Sequence, residues 1–376
     1  MAFFCINYKK LHKANRFLIL FFATLVVLYA CHAVYFLGER ANMLILEPVY
    51  FLCNQLTYPL YLVYVLLITK ENLRIKQYWY IFIPTVFVFI FSVAVYMFAP
   101  EEEFAHLINR FSFGDESVSM WDDIRHKHRY AVMIGYNINL ILFIIIGTQN
   151  IFNFRQRTAS IYSNTEGKDM QKIKLWMYIT VIFSFMSATG NVLGRSYFLK
   201  DNASVVFAVI AYTTLIILIA YFSYNQRFTI EDVLRDELLY AQKENDPKEG
   251  ITQAEPLSKK EDEELKERQK KELFRLFEEE KIYLNSELSI FILSKMLGSN
   301  RTAVSKLINK DLDITFNKLV NGYRIEHAKT LMIDDPNKPF TLISEEAGFA
   351  NEQSFYRNFK SQENTTPQLW KNASLN

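Results

Sequence analysis

The sequence predicts an all-α protein: a six-span transmembrane helical bundle, followed by a cytoplasmic all-helical domain with two helix-turn-helix units. Three observations support this fold class. Six apolar stretches have the length of about 20 residues that a helix needs to cross a bilayer. The density of charged residues rises abruptly near residue 223. Beyond that point, short amphipathic helical segments follow one another without the alternation that indicates strands.

The two parts of the 376-residue chain differ in charge. Residues 1–223 hold 19 Lys and Arg and 13 Asp and Glu, whereas residues 224–376 hold 23 and 27. The first part is too apolar for a soluble domain and the second is too charged for a membrane, which excludes a single globular enzyme. The three cysteines are few and all lie in the apolar part, which excludes a disulfide scaffold.

The apolar part, residues 1–223, is predicted to be a transmembrane sensor region. The predicted spans are Phe17–Leu37, Met43–Thr69, Tyr78–Phe98, Tyr130–Ile151, Leu175–Leu193 and Ser204–Ser223. The second span contains Glu47 and Pro48, and its length allows a tilt or a kink. The first span could instead be a cleaved signal sequence, but its apolar run continues past Cys31, which favours a retained anchor.

Basic residues are distributed unequally over the segments outside the spans. Twelve Lys and Arg lie in the amino-terminal tail and in the second and fourth connections, against seven in the other three connections. Since basic residues near span ends tend to stay cytoplasmic, both termini are predicted to lie in the cytoplasm. The long acidic connection 99–129 is then predicted to face outward.

Polar residues in and near the spans have two interpretations. Glu47, Asn137 and Asn139 are costly in a membrane and often functional there. Hydrogen bonding and packing between helices is the favoured interpretation, and a ligand pocket around Glu47 is the alternative. His126 and His128 in the outer connection are more typical of a solvated interfacial stretch than of a metal or pH-sensing site.

Residues 224–271 are predicted to form a charged helical linker. Phe228–Lys243 has apolar residues at helical spacing, and Pro247 and Pro256 interrupt the helix beyond it. Lys259–Lys271 is a charge-dense run, typical of a solvated helix. Two roles are open: a plain spacer, or a signalling helix that carries motion from the sixth span and pairs with its twin in a homodimer.

Two segments near the carboxyl terminus repeat one pattern, in which a short helix is followed by a turn opened by glycine and by a second helix. They are Leu288–Leu297, Gly298 and Arg301–Asn309 in the first, and Leu342–Ala347, Gly348 and Glu352–Gln362 in the second. Glycine suits such turns because it accepts the left-handed backbone. With a helix over Thr315–Met332 between them, the segments predict two helix-turn-helix units.

The second helix of each unit has an apolar and a polar face. Val304, Leu307 and Ile308 in one, and Phe355 and Phe359 in the other, are predicted to face the core. The opposite faces carry side chains that suit base edges and phosphates. The predicted DNA-contacting residues are Arg301, Thr302, Ser305, Lys306, Glu352, Gln353, Tyr356, Arg357 and Lys360, with Lys371 as a further phosphate contact.

Net charge does not decide the partner of this region. Residues 273–376 hold 13 basic and 13 acidic residues, so non-specific affinity for phosphates is expected to be modest. This keeps open an alternative function, a membrane receptor whose cytoplasmic helical domain docks a protein partner. An enzyme or transporter is disfavoured because the chain has no HExxH, no GxSxG and no phosphate-binding glycine loop.

Four consecutive stretches carry a resemblance to a known family: Arg324–Leu331, Ile343–Phe349, Ser354–Lys360 and Thr366–Lys371. In this order and spacing they resemble the DNA-binding domain of the AraC/XylS family of bacterial transcription regulators. Asn364 stands where that family usually has glycine, but asparagine also tolerates a left-handed backbone. The resemblance implies a DNA-binding domain over residues 272–376, whose two units read adjacent major-groove segments.

The sequence as a whole predicts a membrane-anchored, sequence-specific transcription regulator in the bacterial inner membrane. The membrane or extracytoplasmic signal that it senses is not identified by the residues. Its predicted partners are double-stranded promoter DNA and the lipid bilayer, with RNA polymerase and a second copy of the chain as further candidates. No enzymatic activity, cofactor or metal is predicted.

Overall fold

A computed structural model describes residues 13–37, 40–99, 119–168, 170–193, 202–244 and 259–375. The described part is helical, and its only β pairing is an isolated antiparallel bridge between Tyr162 and Ser289. The chain divides into two compact units. Unit 1 consists of Met1–Phe152 and Met170–Glu231, and unit 2 of Asn153–Asp169 and Asp232–Asn376.

Long apolar helices make up unit 1. They are α1 (Lys13–Leu37), α2 (Arg40–Thr69), a 3-10 helix (Ile75–Phe82) that leads into α3 (Ile83–Phe98), α4 (Met120–Ile161, whose last residues belong to unit 2), α5 (Gln171–Leu193) and α6 (Asn202–Asn225). Helix α2 continues through both Pro48 and Pro59. Helix α4 begins ten residues before the predicted span, and Asp122 and Asp123 in its first turn favour a helix start there.

Five helical stretches among the described residues are long and apolar enough to cross a membrane. They are Lys13–Cys31, Leu46–Thr69, Ile75–Phe98, Met120–Ile161 and Val209–Ala241. The predicted fifth span coincides with α5, which is not among them, and the side chains of residues 185–193 lie outside the described part. Residues 100–118 of the predicted outer connection also lie outside it.

Buried polar side chains join three helices inside unit 1. Asn139 of α4 donates hydrogen bonds from Nδ2 to Gln55 Oε1 of α2 at 2.9 Å and to Thr85 Oγ1 of α3 at 3.1 Å. Gln55 Nε2 in turn donates to the carbonyl oxygen of Val132 at 2.7 Å. The interhelical interpretation is thus confirmed for Asn139, whereas Asn137 Nδ2 donates within its own helix, to the carbonyl oxygen of Met133 at 2.8 Å.

The predicted solvated position of His128 is wrong. His128 is buried, and its Nε2 lies 2.7 Å from Ser92 Oγ of α3, with the rings of Phe51 and Phe91 against it. Because α4 starts before the predicted span, both His128 and Asn139 lie on this helix. Their separation of eleven residues places them on the same helix face. Glu47, for its part, accepts a hydrogen bond from the Tyr96 hydroxyl.

Unit 2 contains shorter helices. They are α7 (Ile230–Glu244, which starts at the unit boundary), α8 (Lys259–Glu278), a 3-10 turn (Ile282–Leu284), α9 (Ile290–Met296), α10 (Arg301–Lys306), α11 (Phe316–Asp334), α12 (Phe340–Glu346), α13 (Glu352–Glu363) and α14 (Pro367–Leu375). Helix α8 extends beyond the predicted charged run because Leu273, Leu276 and Phe277 are buried. The predicted break at Pro247 and Pro256 lies outside the described residues.

One apolar cluster lies at the carboxyl-terminal end of unit 2. It is formed by Ile325, Ala328, Met332, Ile343, Ala347, Phe349, Phe355 and Phe359, with Leu331, Phe340, Tyr356 and Trp370 packed against it. Most of these side chains belong to the four stretches that resemble the AraC/XylS family. The resemblance therefore rests largely on residues that hold α11, α12 and α13 together.

Candidate nucleic-acid interface

The first helix pair of unit 2 is α9 and α10. Ser289 begins α9 by accepting a hydrogen bond from the Ile292 amide, and Asn300 caps α10 in the same way through the Ala303 amide at 2.9 Å. Between the helices, Gly298 has a left-handed backbone with φ of +56°. Helix α10 is shorter than predicted because the chain widens into a π-helical turn over Leu307–Asp311.

The second helix pair, α12 and α13, is built in the same way. Gly348 in the turn has φ of +80°, and Asn351 caps α13 by accepting from the Ser354 amide at 2.8 Å. At the other end of α13, Asn364 has φ of +55°, so the expected left-handed asparagine is confirmed. Each of α10 and α13 is therefore preceded by its own left-handed glycine and capped by its own asparagine.

The predicted apolar faces of both second helices are confirmed. Val304, Leu307 and Ile308 are buried around α10, and Phe355 and Phe359 are buried on α13. Each helix is thus fixed to the body of unit 2 on one side. The polar residues of α10 and α13 lie on the opposite side of each helix.

The predicted DNA-contacting residues lie outside the core but differ in exposure. Thr302, Lys306, Gln353, Arg357 and Lys360 are exposed, whereas Arg301, Ser305, Glu352 and Tyr356 are half-buried. The exposed residues include one or more basic side chains on each second helix. Such a distribution can provide donors for base edges and for phosphates.

Two of the half-buried residues on α13 also bind within the second helix pair. The Thr341 hydroxyl donates to the Glu352 carboxylate, which ties the start of α12 to the start of α13. The Tyr356 ring meets the Phe340 ring edge-to-face at 5.6 Å. Burial raises the pKa of the Tyr356 phenol, with Glu352 adding to the effect, so the group is held as a neutral hydroxyl.

Two basic side chains of the predicted set are engaged elsewhere. Lys371 is buried, and its ammonium lies 5.4 Å from the centre of the Phe340 ring, so we leave it out of the candidate interface. Arg301 Nη1 pairs with Glu237 Oε1 of α7 at 2.8 Å. The Arg301 guanidinium also lies 5.5 Å from the Phe291 ring.

Arg324 of α11 is a buried organising residue that the sequence reasoning did not recognise. Its Nε donates to the carbonyl oxygen of Tyr283 at 2.7 Å and its Nη2 to that of Asn285 at 2.7 Å. Further bonds run to Asn321 Oδ1 and Ser163 Oγ. Burial lowers the pKa of Arg324 to about 10, against an opposing effect of Glu287, so the side chain stays charged at neutral pH.

A sequence signal for Arg324 does exist. Phe316, Val320, Ala328 and Met332 are all buried, and Arg324 occupies the position in this four-residue spacing between Val320 and Ala328. A charged residue on an otherwise buried stripe indicates a structural ion that needs several partners. The carbonyl groups that bind it come from distant segments, which no periodicity in α11 identifies.

Comparison with known proteins supports a helix-turn-helix assignment for this region. A family model described as a helix-turn-helix domain matches residues 293–373, which contain part of α9 and all of α10 to α13. Uncharacterized HTH-type transcriptional regulators of Staphylococcus aureus strains COL, MSSA476 and N315 are 31% identical over 90 residues. The aligned part is 24% of this chain and 12% of each relative. No solved structure gave a significant match.

Residues 293–373 of the chain therefore match a helix-turn-helix domain. The similarity to the transcriptional regulators extends over 90 residues of the chain, and it spans only a small part of their length. The family match covers neither the apolar helices of unit 1 nor the linker.

Proposed function

We propose that the chain is a membrane-anchored, sequence-specific DNA-binding transcription regulator. In this proposal residues 1–223 form a six-span sensor region in the bacterial inner membrane and residues 224–271 a linker. Residues 272–376 form a cytoplasmic DNA-binding domain with two helix-turn-helix units, α9 with α10 and α12 with α13. Promoter DNA and the bilayer are its partners, with RNA polymerase and a second copy of the chain as further candidates.

The observation that carries the proposal is the matched construction of α10 and α13. Both follow a left-handed glycine, both are capped by an asparagine, and both bury an apolar face while polar side chains lie on the other. In helix-turn-helix proteins the amino-terminal residues of the second helix contact base edges in the major groove. Thr302 and Gln353 are exposed in the first turns of the two helices.

The proposed membrane anchor is supported by the apolar helices of unit 1. Five stretches have the length and composition of membrane spans, and large side chains such as Phe87, Ile90 and Ile145 are more than half exposed. So many exposed apolar side chains are costly in water and normal against lipid. A reporter fused after residue 376 is expected to be active in the cytoplasm. Activity only in the periplasm would contradict the proposal.

Replacing Arg357 with alanine is expected to weaken binding to the preferred DNA site by about 5- to 160-fold, because a good base contact contributes about 1–3 kcal/mol. The preferred site would be obtained by selection from a random duplex library with the full chain in lipid nanodiscs. Affinity would then be measured by gel shift at several salt concentrations. Binding to unrelated duplexes should fall much less, since only phosphate contacts act there.

Lys271→Ala is the matched control, because Lys271 is an exposed basic residue outside the helix-turn-helix match. It should leave the preference between preferred and unrelated DNA unchanged. If Arg357→Ala lost the same affinity for both kinds of duplex, Arg357 would not contact bases specifically. Absence of DNA binding by the full chain would instead favour a receptor that docks a protein.

A further inference from the structure

The carboxylate of Glu237 on α7 is bound by two arginines within unit 2. Arg157, near the end of α4, donates from Nη2 to both carboxylate oxygens, at 3.1 and 3.0 Å. Arg301, the first residue of α10, approaches Oε1 through Nη1 at 2.8 Å. Glu237 is only 18% exposed and Arg301 34% exposed, so both are partly withdrawn from solvent.

Aromatic contact brings α7 and α9 together beside this ion pair. Tyr240 of α7 stacks on Phe291 of α9, with ring centres 4.5 Å apart and planes within 6°. The Arg301 guanidinium lies 5.5 Å from the centre of the same Phe291 ring. Helix α7 therefore contacts the first helix pair at the start of α10.

The segment 153–169, which contains the end of α4 and the residues after it, contacts the same region through hydrogen bonds. Ser163 donates its amide to the Leu288 carbonyl at 3.2 Å, and its own carbonyl accepts from Asn317 Nδ2 at 2.6 Å. The neighbouring Tyr162 hydroxyl donates to Asp236 Oδ2 at 2.6 Å, one residue from Glu237. Burial and the Asp236 bond raise the pKa of the Tyr162 phenol, so it remains a donor across the physiological range.

We propose that α7, held by the end of α4, competes with DNA within the same chain. Glu237 forms an ion pair with Arg301 until DNA displaces the Glu237 carboxylate. This inference rests on the proposed function, in which Arg301 contacts DNA. A carboxylate and a phosphate suit a guanidinium equally well, so one guanidinium arm cannot serve both fully. DNA that binds Arg301 through Nη1 must therefore break the contact between Glu237 and Arg301.

The arrangement of charges makes this exchange easy to reverse. When Arg301 leaves, Glu237 keeps both hydrogen bonds from Arg157 and is not left as an uncompensated buried charge. The cost of opening is then that of one partly exposed ion pair rather than of a buried ion. A change at the end of α4 or in α7 that strengthens or weakens this contact would change DNA affinity.

The test uses the full chain in lipid nanodiscs and the duplex selected with the wild-type protein. Removing the carboxylate charge in Glu237→Gln is expected to tighten DNA binding about three- to tenfold, the effect of losing one partly exposed competing ion pair. Glu231→Gln is the matched control, because it removes the same charge from an exposed position on the same helix. It should leave the affinity within twofold of wild type.

A double substitution separates competition from a general charge effect. In the Arg301→Ala background, Glu237→Gln should cause no further tightening, because the competed group is absent. Unchanged or weaker binding in Glu237→Gln, or equal tightening with and without Arg301, would overturn the competitor model while leaving a DNA-binding function intact. Failure of every variant and of the wild type to bind any duplex would overturn both.

Discussion

Replacing Arg324 with alanine is expected to lower the free energy of unfolding of unit 2 by about 3 kcal/mol or more, since buried acceptors that lose a charged donor are costly. The Tyr283 and Asn285 carbonyl oxygens each lose a 2.7 Å hydrogen bond, and Ser163 and Asn321 lose further ones. Amide hydrogen exchange of α11 in the full chain measures this. Each 1.4 kcal/mol of lost stability makes exchange through opening of unit 2 about tenfold faster. The expected loss should therefore make this exchange more than about a hundredfold faster.

Two further variants test the cause. Lys318→Ala removes an exposed basic side chain from the same helix and should change stability by less than about 0.5 kcal/mol. Arg324→Lys keeps the charge but lacks the planar fork that serves two carbonyl groups at once, so we expect an intermediate loss. If the α11 amides exchanged at the same rate in Arg324→Ala as in Lys318→Ala, the hydrogen bonds of Arg324 would not stabilise unit 2.

Replacing Gly348 with alanine is expected to destabilise unit 2 by about 3 kcal/mol, because left-handed strain of about 1–2 kcal/mol adds to a steric overlap. A Cβ atom at this position would lie 2.6 Å from Leu284 Cα and 2.7 Å from the carbonyl oxygens of Leu284 and Tyr283. All three are backbone atoms, so no side-chain rotation relieves the contact. The loss should be visible as a lower temperature at which the full chain stops binding DNA.

Gly298 provides the matched control for this substitution. It has φ of +56°, but a Cβ atom there meets nothing within 4 Å. Gly298→Ala should therefore show only the left-handed strain, about 1–2 kcal/mol. Equal losses at the two glycines would mean that the close approach of Gly348 to the 283–284 backbone contributes nothing.

Most of the helical architecture could be predicted from local patterns. Apolar length identified the helices of unit 1, and three- and four-residue spacing identified the buried faces of α10 and α13. Boundaries were less accurate where tertiary packing outweighed local charge. Helix α8 continues past its charged run because Leu273 and Phe277 enter the core, and α4 starts early enough to bury His128 against Ser92.

The candidate site was predictable on its exposed side only. Turn glycines, asparagine caps and polar faces are local features, and the sequence contained them in order. Apart from Asn321, the hydrogen-bonding and ion-pair partners of Arg301 and Arg324 come from α7, from the 283–285 turn and from residue 163, which are far away along the chain. Nothing in the spacing around either arginine specifies such long-range contacts, and only the folded chain identifies them.

The discontinuous construction of unit 2 has a consequence for biosynthesis. Ser163 precedes its partner Asn317 by 154 positions and Arg324 by 161. At a translation rate of about 5–20 residues per second, the segment around Ser163 is made roughly 10–30 s before those partners. Unit 2 can therefore reach its final form only after α11 has been made, and in a nascent chain stalled before Asn317 the segment around Ser163 would lack the helix that it binds.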